Sequence, residues 1–254
     1  MKGYYAFTKK ELLEQLRTFK WLIILSVFFL FGMMSPVLAK LMPDILSGME
    51  VEGMKIVIPD PTAMDAYGQF FKNFTQMGIL VVLLVFGGTL SNELVRGTLV
   101  NILAKGMPRP VVILSKYTAA VLLWTVGYLL AAATTFGYTA YLFKDALVSN
   151  LVFSMFCLWL FGIFVLALVF LSSTIASGNF GGLVLSAVAL ILMLMIGVIP
   201  NTEKYNPVTL ASVNVALLSG TKEVKDLIAT VIITCLLTVG CMIGSIVLFG
   251  KKKL

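Results

Sequence analysis

Leu151–Ile175 reads LVFSMFCLWLFGIFVLALVFLSSTI, with no charged residue anywhere in it. The stretch is long enough to cross the hydrocarbon of a bilayer as a helix, which takes roughly 20 apolar residues. It lies in a longer uncharged run, from Ala146 to Thr202. Ser177-Gly178-Asn179 reads as a turn within that run, dividing it into two spans.

Outward from this stretch, comparable runs occupy Trp21–Ala39, Phe70–Leu90, Val111–Phe143, Leu183–Pro200 and Leu227–Phe249. Whole-chain composition agrees. Apolar residues make up 59% and charged residues 12% of the 254, where a soluble domain carries about 25% charged; mean hydropathy is +1.01. The expectation is an all-α membrane protein of six transmembrane helices forming a single transmembrane domain over 1–254.

Loop charge sets the orientation. With the N-terminus inside, the cytosolic segments hold Lys2, Lys9, Lys10, Arg17, Lys20, Arg96, Lys105, Arg109, Lys116 and Lys251 to Lys253, against three acids, Glu11, Glu14 and Glu93. The outer segments hold Lys40, Lys55, Lys72, Lys144, Lys204, Lys222 and Lys225 against the remaining acids, which outnumber them. Both termini are therefore expected in the cytosol. The net charge of +7 is a topology and anionic-lipid signal, not one for nucleic acid. The N-terminus lacks the form of a cleavable signal peptide. Cys157, Cys235 and Cys241 fall in apolar runs and read as packing residues. The chain contains no histidine, which excludes a His-based metal site or triad.

Four segments between spans carry information. Residues 8–20 read as an amphipathic helix opened by a Thr8…Glu11 capping box. Leu12, Leu13, Leu16 and Phe19 share its apolar face, suited to the inner membrane surface as an anchor or beside a partner. In the first outer loop, 40–69, Met54 to Ile58 form a candidate short strand, within a cap or a plain connector. The segment 206–218 is mostly apolar or small yet too short to span, so it is a re-entrant helix or one resting on the outer surface. Between the second and third spans, Glu93, Arg96, Gly97 and Thr98 precede a helical spacing of Leu99, Ile102, Leu103 and Gly106. That spacing makes 93–106 a short cytosolic amphipathic helix, fit to enter a groove on a soluble partner or to lie on its own membrane domain.

The ordered set Pro59-Asp60-Pro61-Thr62, Tyr67-Gly68-Gln69-Phe70, Glu93-x-x-Arg96-Gly97-Thr98, Arg109 and Lys116, then Lys204-Tyr205-Asn206-Pro207, resembles the permease subunit of type-2 ABC exporters. The resemblance implies that 93–106 is a coupling helix docking on an ATPase, with Arg109 beside it, and that 8–20 is the connecting helix. It also implies that 206–218 is an outer re-entrant element. A second permease copy, identical in the simplest case, would pair with this one so that the second and fifth spans line the path, and two ATPase subunits would bind ATP and Mg. The chain has no G-x-x-x-x-G-K-[ST] loop, so it is not expected to be an enzyme or to hold nucleotide.

The expected function is ATP-driven export across the bacterial cytoplasmic membrane of an amphipathic or hydrophobic cargo, a peptide, antibiotic or lipid. Lys72, Asn73 and Gln76, at the outer mouth of the second span, line an exit or contact water at the headgroups. An ion-coupled secondary transporter is the alternative, disfavoured because none of the six runs contains Asp, Glu or His. A non-transporting immunity or scaffold protein is another, and an intramembrane enzyme is disfavoured by the lack of a base or metal cluster.

Overall fold

In the computed structural model, residues 2–47, 60–104, 106–144, 148–176, 178, 180–199 and 202–252 are described. Every regular element among them is helical: α1 (Lys2–Arg17), α2 (Lys20–Ser47), α3 (Ala63–Asn73), a π-helical turn (Phe74–Gly78), α4 (Ile79–Phe86), α5 (Ser91–Val95), α6 (Thr98–Ala104), α7 (Arg109–Leu142), α8 (Leu151–Ile175), α9 (Gly181–Gly197), a 3-10 turn (Glu203–Tyr205), α10 (Thr209–Ser212), α11 (Asn214–Leu218) and α12 (Val224–Lys251). Five helical stretches are long and apolar enough to cross a membrane: Lys20–Ile45, Ala63–Val95, Arg109–Leu142, Leu151–Ile175 and Val224–Lys251. The apolar helix α9 is shorter, at 17 residues.

The quoted stretch is the centre of the bundle. Within the five candidate spans, α8 buries the largest share of its apolar window, 67%, against 17% for α12 at the periphery. α8 packs on α7, α9 and α12, while α2 packs on α3 and α7. Small residues allow the close approaches, as is usual between membrane helices. Gly162 of α8 lies against the indole of Trp124 on α7, leaving no room for even a methyl group. Trp124 is fully buried and donates Nε1–H to Trp159 O at 3.1 Å. Around it Phe28, Phe74 and Tyr128 make edge-on and stacked ring contacts.

Some polar groups inside the bundle are matched across helices, where hydrocarbon offers no water to do it. Pro36 lies within α2 and has no N–H for the Gly32 carbonyl one turn back. The Thr135 hydroxyl of α7 donates to that carbonyl at 3.0 Å. Thr174 of α8 and Ser245 of α12 share a hydroxyl bond of 2.8 Å.

Several expectations need correction. The N-terminal helix does not begin at Thr8: α1 starts at Lys2, and Thr8 sits inside it, donating to Tyr4 O at 2.9 Å. The connecting segment 8–20 also breaks at Thr18-Phe19, where Phe19 takes φ 58°, before α2 starts. Leu13, Leu16 and Phe19 are exposed and Leu12 half-buried, while Phe7, Glu11 and Gln15 face the bundle. The outer loop is shorter than 40–69, because α2 runs to Ser47 and α3 starts at Ala63, where Thr62 and Asp65 cap it. The candidate strand Met54 to Ile58 lies outside the described residues. The coupling segment 93–106 is not one helix. α5 ends at Val95, Gly97 turns with φ 68°, and α6 covers Thr98–Ala104. The second span begins at Ala63, about two turns before the expected Phe70, and it contains the π-helical turn.

Candidate functional site

Where α1, α5 and α7 meet, two carboxylates converge on one lysine, with a third beside them on a second lysine. Lys116 of α7 is fully buried. Its Nζ donates to Glu11 Oε2 of α1 at 2.8 Å and to Glu93 Oε1 of α5 at 2.6 Å. The side chains of Glu11 and Glu93 are 4% and 17% exposed. Lys10 bridges Glu11 at 3.0 Å and Glu14 at 2.5 Å. Burial works against charge on Glu14, but the Lys10 hydrogen bond and the surrounding lysines outweigh it and hold its carboxyl below the ordinary value. Burial likewise opposes charge on Lys10, and its bonds to Glu14 and Glu11 raise its pKa overall. Glu11, Glu14 and Glu93 place oxygens within 4.8 Å of one another. Lys10 and Lys116 already neutralise that grouping, the ordinary reason for acids to converge.

Beside this network lies a cavity of about 460 Å³ between α1, the end of α4 and α5–α6. Lys20 on its wall donates to the Thr89 hydroxyl at 2.9 Å and sits over the Phe86 ring. Two buried acceptors on the same wall, Gln15 Oε1 and Glu93 Oε2, have no hydrogen-bond partner among the described residues. The network ties α1 and α7 to the short helix α5.

The expected coupling residues divide here. Arg96 and Thr98 are exposed, with Thr98 Oγ1 donating to Glu93 O at 3.3 Å. Leu99 is fully buried within the chain, and Ile102 and Leu103 are half-buried against the core. That apolar stripe is therefore largely spent on the chain's own bundle, and the outward surface of α5–α6 is Val95, Arg96, Thr98, Val100, Asn101 and Ala104. Arg109 is also engaged elsewhere. Its guanidinium donates to Phe249 O, Gly250 O and Lys252 O at 3.1, 2.6 and 2.9 Å, satisfying the last carbonyls of α12.

On the opposite end of the bundle, residues 206–218 form a broken pair, α10 and α11, packed on α3, α8 and α12. Asn206 Nδ2 donates to Met193 O at 2.6 Å, and Asn206 Oδ1 accepts from Val208 N at 3.0 Å. Thr75, in the π-helical turn, donates to Ala211 O at 3.1 Å. Lys72 and Gln76 line a cavity there. Asn73 points away from it, donating to Ser35 Oγ at 3.0 Å and accepting from Gln69 at 3.2 Å.

Lys116, Glu11, Gln15 and Lys20 were not singled out from the sequence as site residues. The available signal was a lysine inside an apolar helical run, with carboxylates at the ends of two other segments.

No protein-family model matches the chain. Among curated proteins it is similar to the uncharacterized transmembrane protein YxlG of Bacillus subtilis (strain 168), at 24% identity over 163 residues. The likeness spans 63% of this chain and 63% of that one, less than two thirds of either. The apolar helices and the transmembrane relative agree on a multi-pass helical membrane protein.

Proposed function

We propose that this chain is the membrane subunit of an ATP-driven exporter of amphipathic or hydrophobic cargo, powered by an ATPase on a separate polypeptide. The observation that carries the reading is the buried Glu11–Lys116–Glu93 junction. It joins a membrane-surface helix, a span and the short helix α5 into one rigid unit at the end of the bundle that loop charge assigns to the cytosol. A protein that receives mechanical work from a soluble partner needs such a unit. An exposed surface at α5–α6 and an exposed apolar face on α1, suited to lipid, accompany it.

In this reading α9 crosses the membrane as the fifth of six spans. Its 17 residues extend about 25 Å at 1.5 Å per residue, which local bilayer thinning accommodates. Both termini lie in the cytosol, α10–α11 form an outer re-entrant element, and two copies of the chain assemble with two ATPase subunits in a bacterial cytoplasmic membrane. ATP and Mg belong to those subunits.

The test is Arg96→Glu with Val100→Asp, two exposed positions, in the chain reconstituted with its ATPase. Substrate-stimulated ATP hydrolysis should fall at least tenfold while the fold is retained. Unchanged stimulation would sink the assignment. Ion-coupled transport is a second reading, supported by buried carboxylates at one membrane boundary. It predicts uptake or efflux driven by an imposed proton or sodium gradient with no nucleotide present.

A further inference from the structure

The cavity of about 460 Å³ beside the buried junction carries more positive charge than the junction consumes. Its acids are all paired within the chain: Glu11 with Lys10 and Lys116, Glu14 with Lys10, and Glu93 with Lys116. Lys20 and Arg96 also line it, and neither has an ion pair among the described residues. Three acids therefore meet four cations, and one positive charge is left over. Lys20 is held in place. It is half-buried, and its Nζ donates to Thr89 Oγ1 at 2.9 Å and sits 5.7 Å from the centre of the Phe86 ring. Thr89 lines the cavity as well, so the bond sets the ammonium at the wall. An ammonium has three hydrogens, and two remain for a ligand.

The second, independent feature is the apolar side of the same wall. Leu84 lines the cavity yet is 61% exposed on the second span, as are Leu80 at 49% and Met77 at 54%. These residues, four and three positions apart, share one helix face, and on a spanning helix that face meets acyl chains. The cavity thus opens onto a lipid-facing strip, at the end of the bundle that loop charge assigns to the cytosol. Its complement is an amphiphile with one negative charge in a polar head. A phosphodiester spreads its charge over two oxygens, one for the Lys20 ammonium and one for the Arg96 guanidinium. Asn92 and Thr98, on the same wall, suit hydroxyls of the head.

We propose that this cavity holds the headgroup of an anionic phospholipid of the cytosolic leaflet, with the phosphodiester on Lys20 and Arg96 and an acyl chain along Leu84 and Leu80. Phosphatidylglycerol has this chemistry. The proposal does not rest on the exporter reading, because binding needs neither ATPase nor cargo.

The experiment uses the full chain in mild detergent, without partner or nucleotide, and follows lipid retention by native mass spectrometry. Phosphatidylglycerol is compared with phosphatidylethanolamine of the same acyl chains. The first phosphatidylglycerol should be held roughly fivefold or more tighter, the worth of about one such charge contact. Lys20→Met should abolish that preference, and Lys20→Arg, which keeps the cation, should retain it. Lys72→Met, at an exposed position on the opposite end, lowers the net charge equally and should leave the preference intact. The uncharged methyl phosphotriester of phosphatidylglycerol tests the contact from the ligand side, whatever the stability of the variants, and should bind as weakly as phosphatidylethanolamine. Glycerol phosphate in large excess should not displace the lipid; displacement would assign the cavity to soluble phosphates and overturn the lipid assignment. Equal retention of phosphatidylglycerol and either comparison lipid, a preference that survives Lys20→Met, or one lost equally in Lys72→Met, also overturns it. Failure here with an intact ATP-dependent coupling result would leave the exporter reading standing, and the reverse would leave a lipid site without that transport role.

Discussion

Replacing Lys116 with methionine keeps the length and apolar stem of the side chain but removes the cation between Glu11 and Glu93. The lysine is fully buried, Glu11 is 4% exposed and Glu93 17% exposed. Glu93 is then left without its cation and Glu11 with Lys10 alone, in a poorly solvated junction. Breaking a buried pair by removing one partner costs about 3–5 kcal/mol. Glu93 can rewet partly through the adjacent cavity, which places the expected loss nearer 3 kcal/mol than the sum of two broken pairs. The folded-to-unfolded ratio should drop by roughly two orders of magnitude. Denaturant titration in mixed micelles, followed by tryptophan fluorescence, reads this directly. Adding Glu11→Gln and Glu93→Gln in the same chain removes the stranded charges and should restore most of the loss. A single variant that unfolds within about 0.5 kcal/mol of the parent, the usual range for surface substitutions, would refute the burial and pairing assigned to the junction.

Four other perturbations have defined outcomes. Gly162→Ala pushes a methyl group into the Trp124 indole and should cost about 1–3 kcal/mol by overpacking, read as a lowered thermal midpoint with altered tryptophan emission. Arg109→Gln removes the charged donor to three carbonyls at the end of α12 and should speed tryptic cleavage at Lys251 and Lys252. The Lys10–Glu14 contact should weaken at both pH extremes. Glu14 has a lowered pKa, so its contribution is present above the ordinary 4.5 and fades as acid titrates it below that value. Lys10 has a raised pKa, so its contribution holds below 10.5 and fades as pH climbs past the raised value; Lys10→Met should flatten both limbs of an unfolding-versus-pH curve. In a chain with Cys157, Cys235 and Cys241 replaced, Asp60→Cys should react with a membrane-impermeant thiol reagent on whole cells, and absence of labelling would reverse the orientation.

Long apolar helices were the most legible part of the sequence. Leu151–Ile175 follows from a run without charge, because in lipid a helix satisfies its own backbone and composition alone sets its limits. Local signatures fared worse where tertiary contacts compete. The Thr8…Glu11 pattern has the form of a cap, yet Tyr4 bonds Thr118 at 2.7 Å and Phe7 is buried. These contacts draw the helix back to Lys2 and leave Glu11 free to reach Lys116. The Leu99, Ile102 and Leu103 stripe was correctly periodic, but periodicity does not say whether a face meets a partner or the chain's own bundle. Lys116 could be counted as a positive charge at a span end. Its role needed two partners 105 and 23 residues away, and no spacing rule connects them.

The most direct measurement is purification of the intact chain from its own cells in mild detergent, with mass spectrometry of what accompanies it. The account predicts a phosphate-loop ATPase in equal copy number, lost from the Arg96→Glu, Val100→Asp variant while the chain itself remains folded. A chain that purifies folded with no phosphate-loop ATPase, and moves no cargo in response to ATP when such subunits from the same cells are supplied, would contradict it.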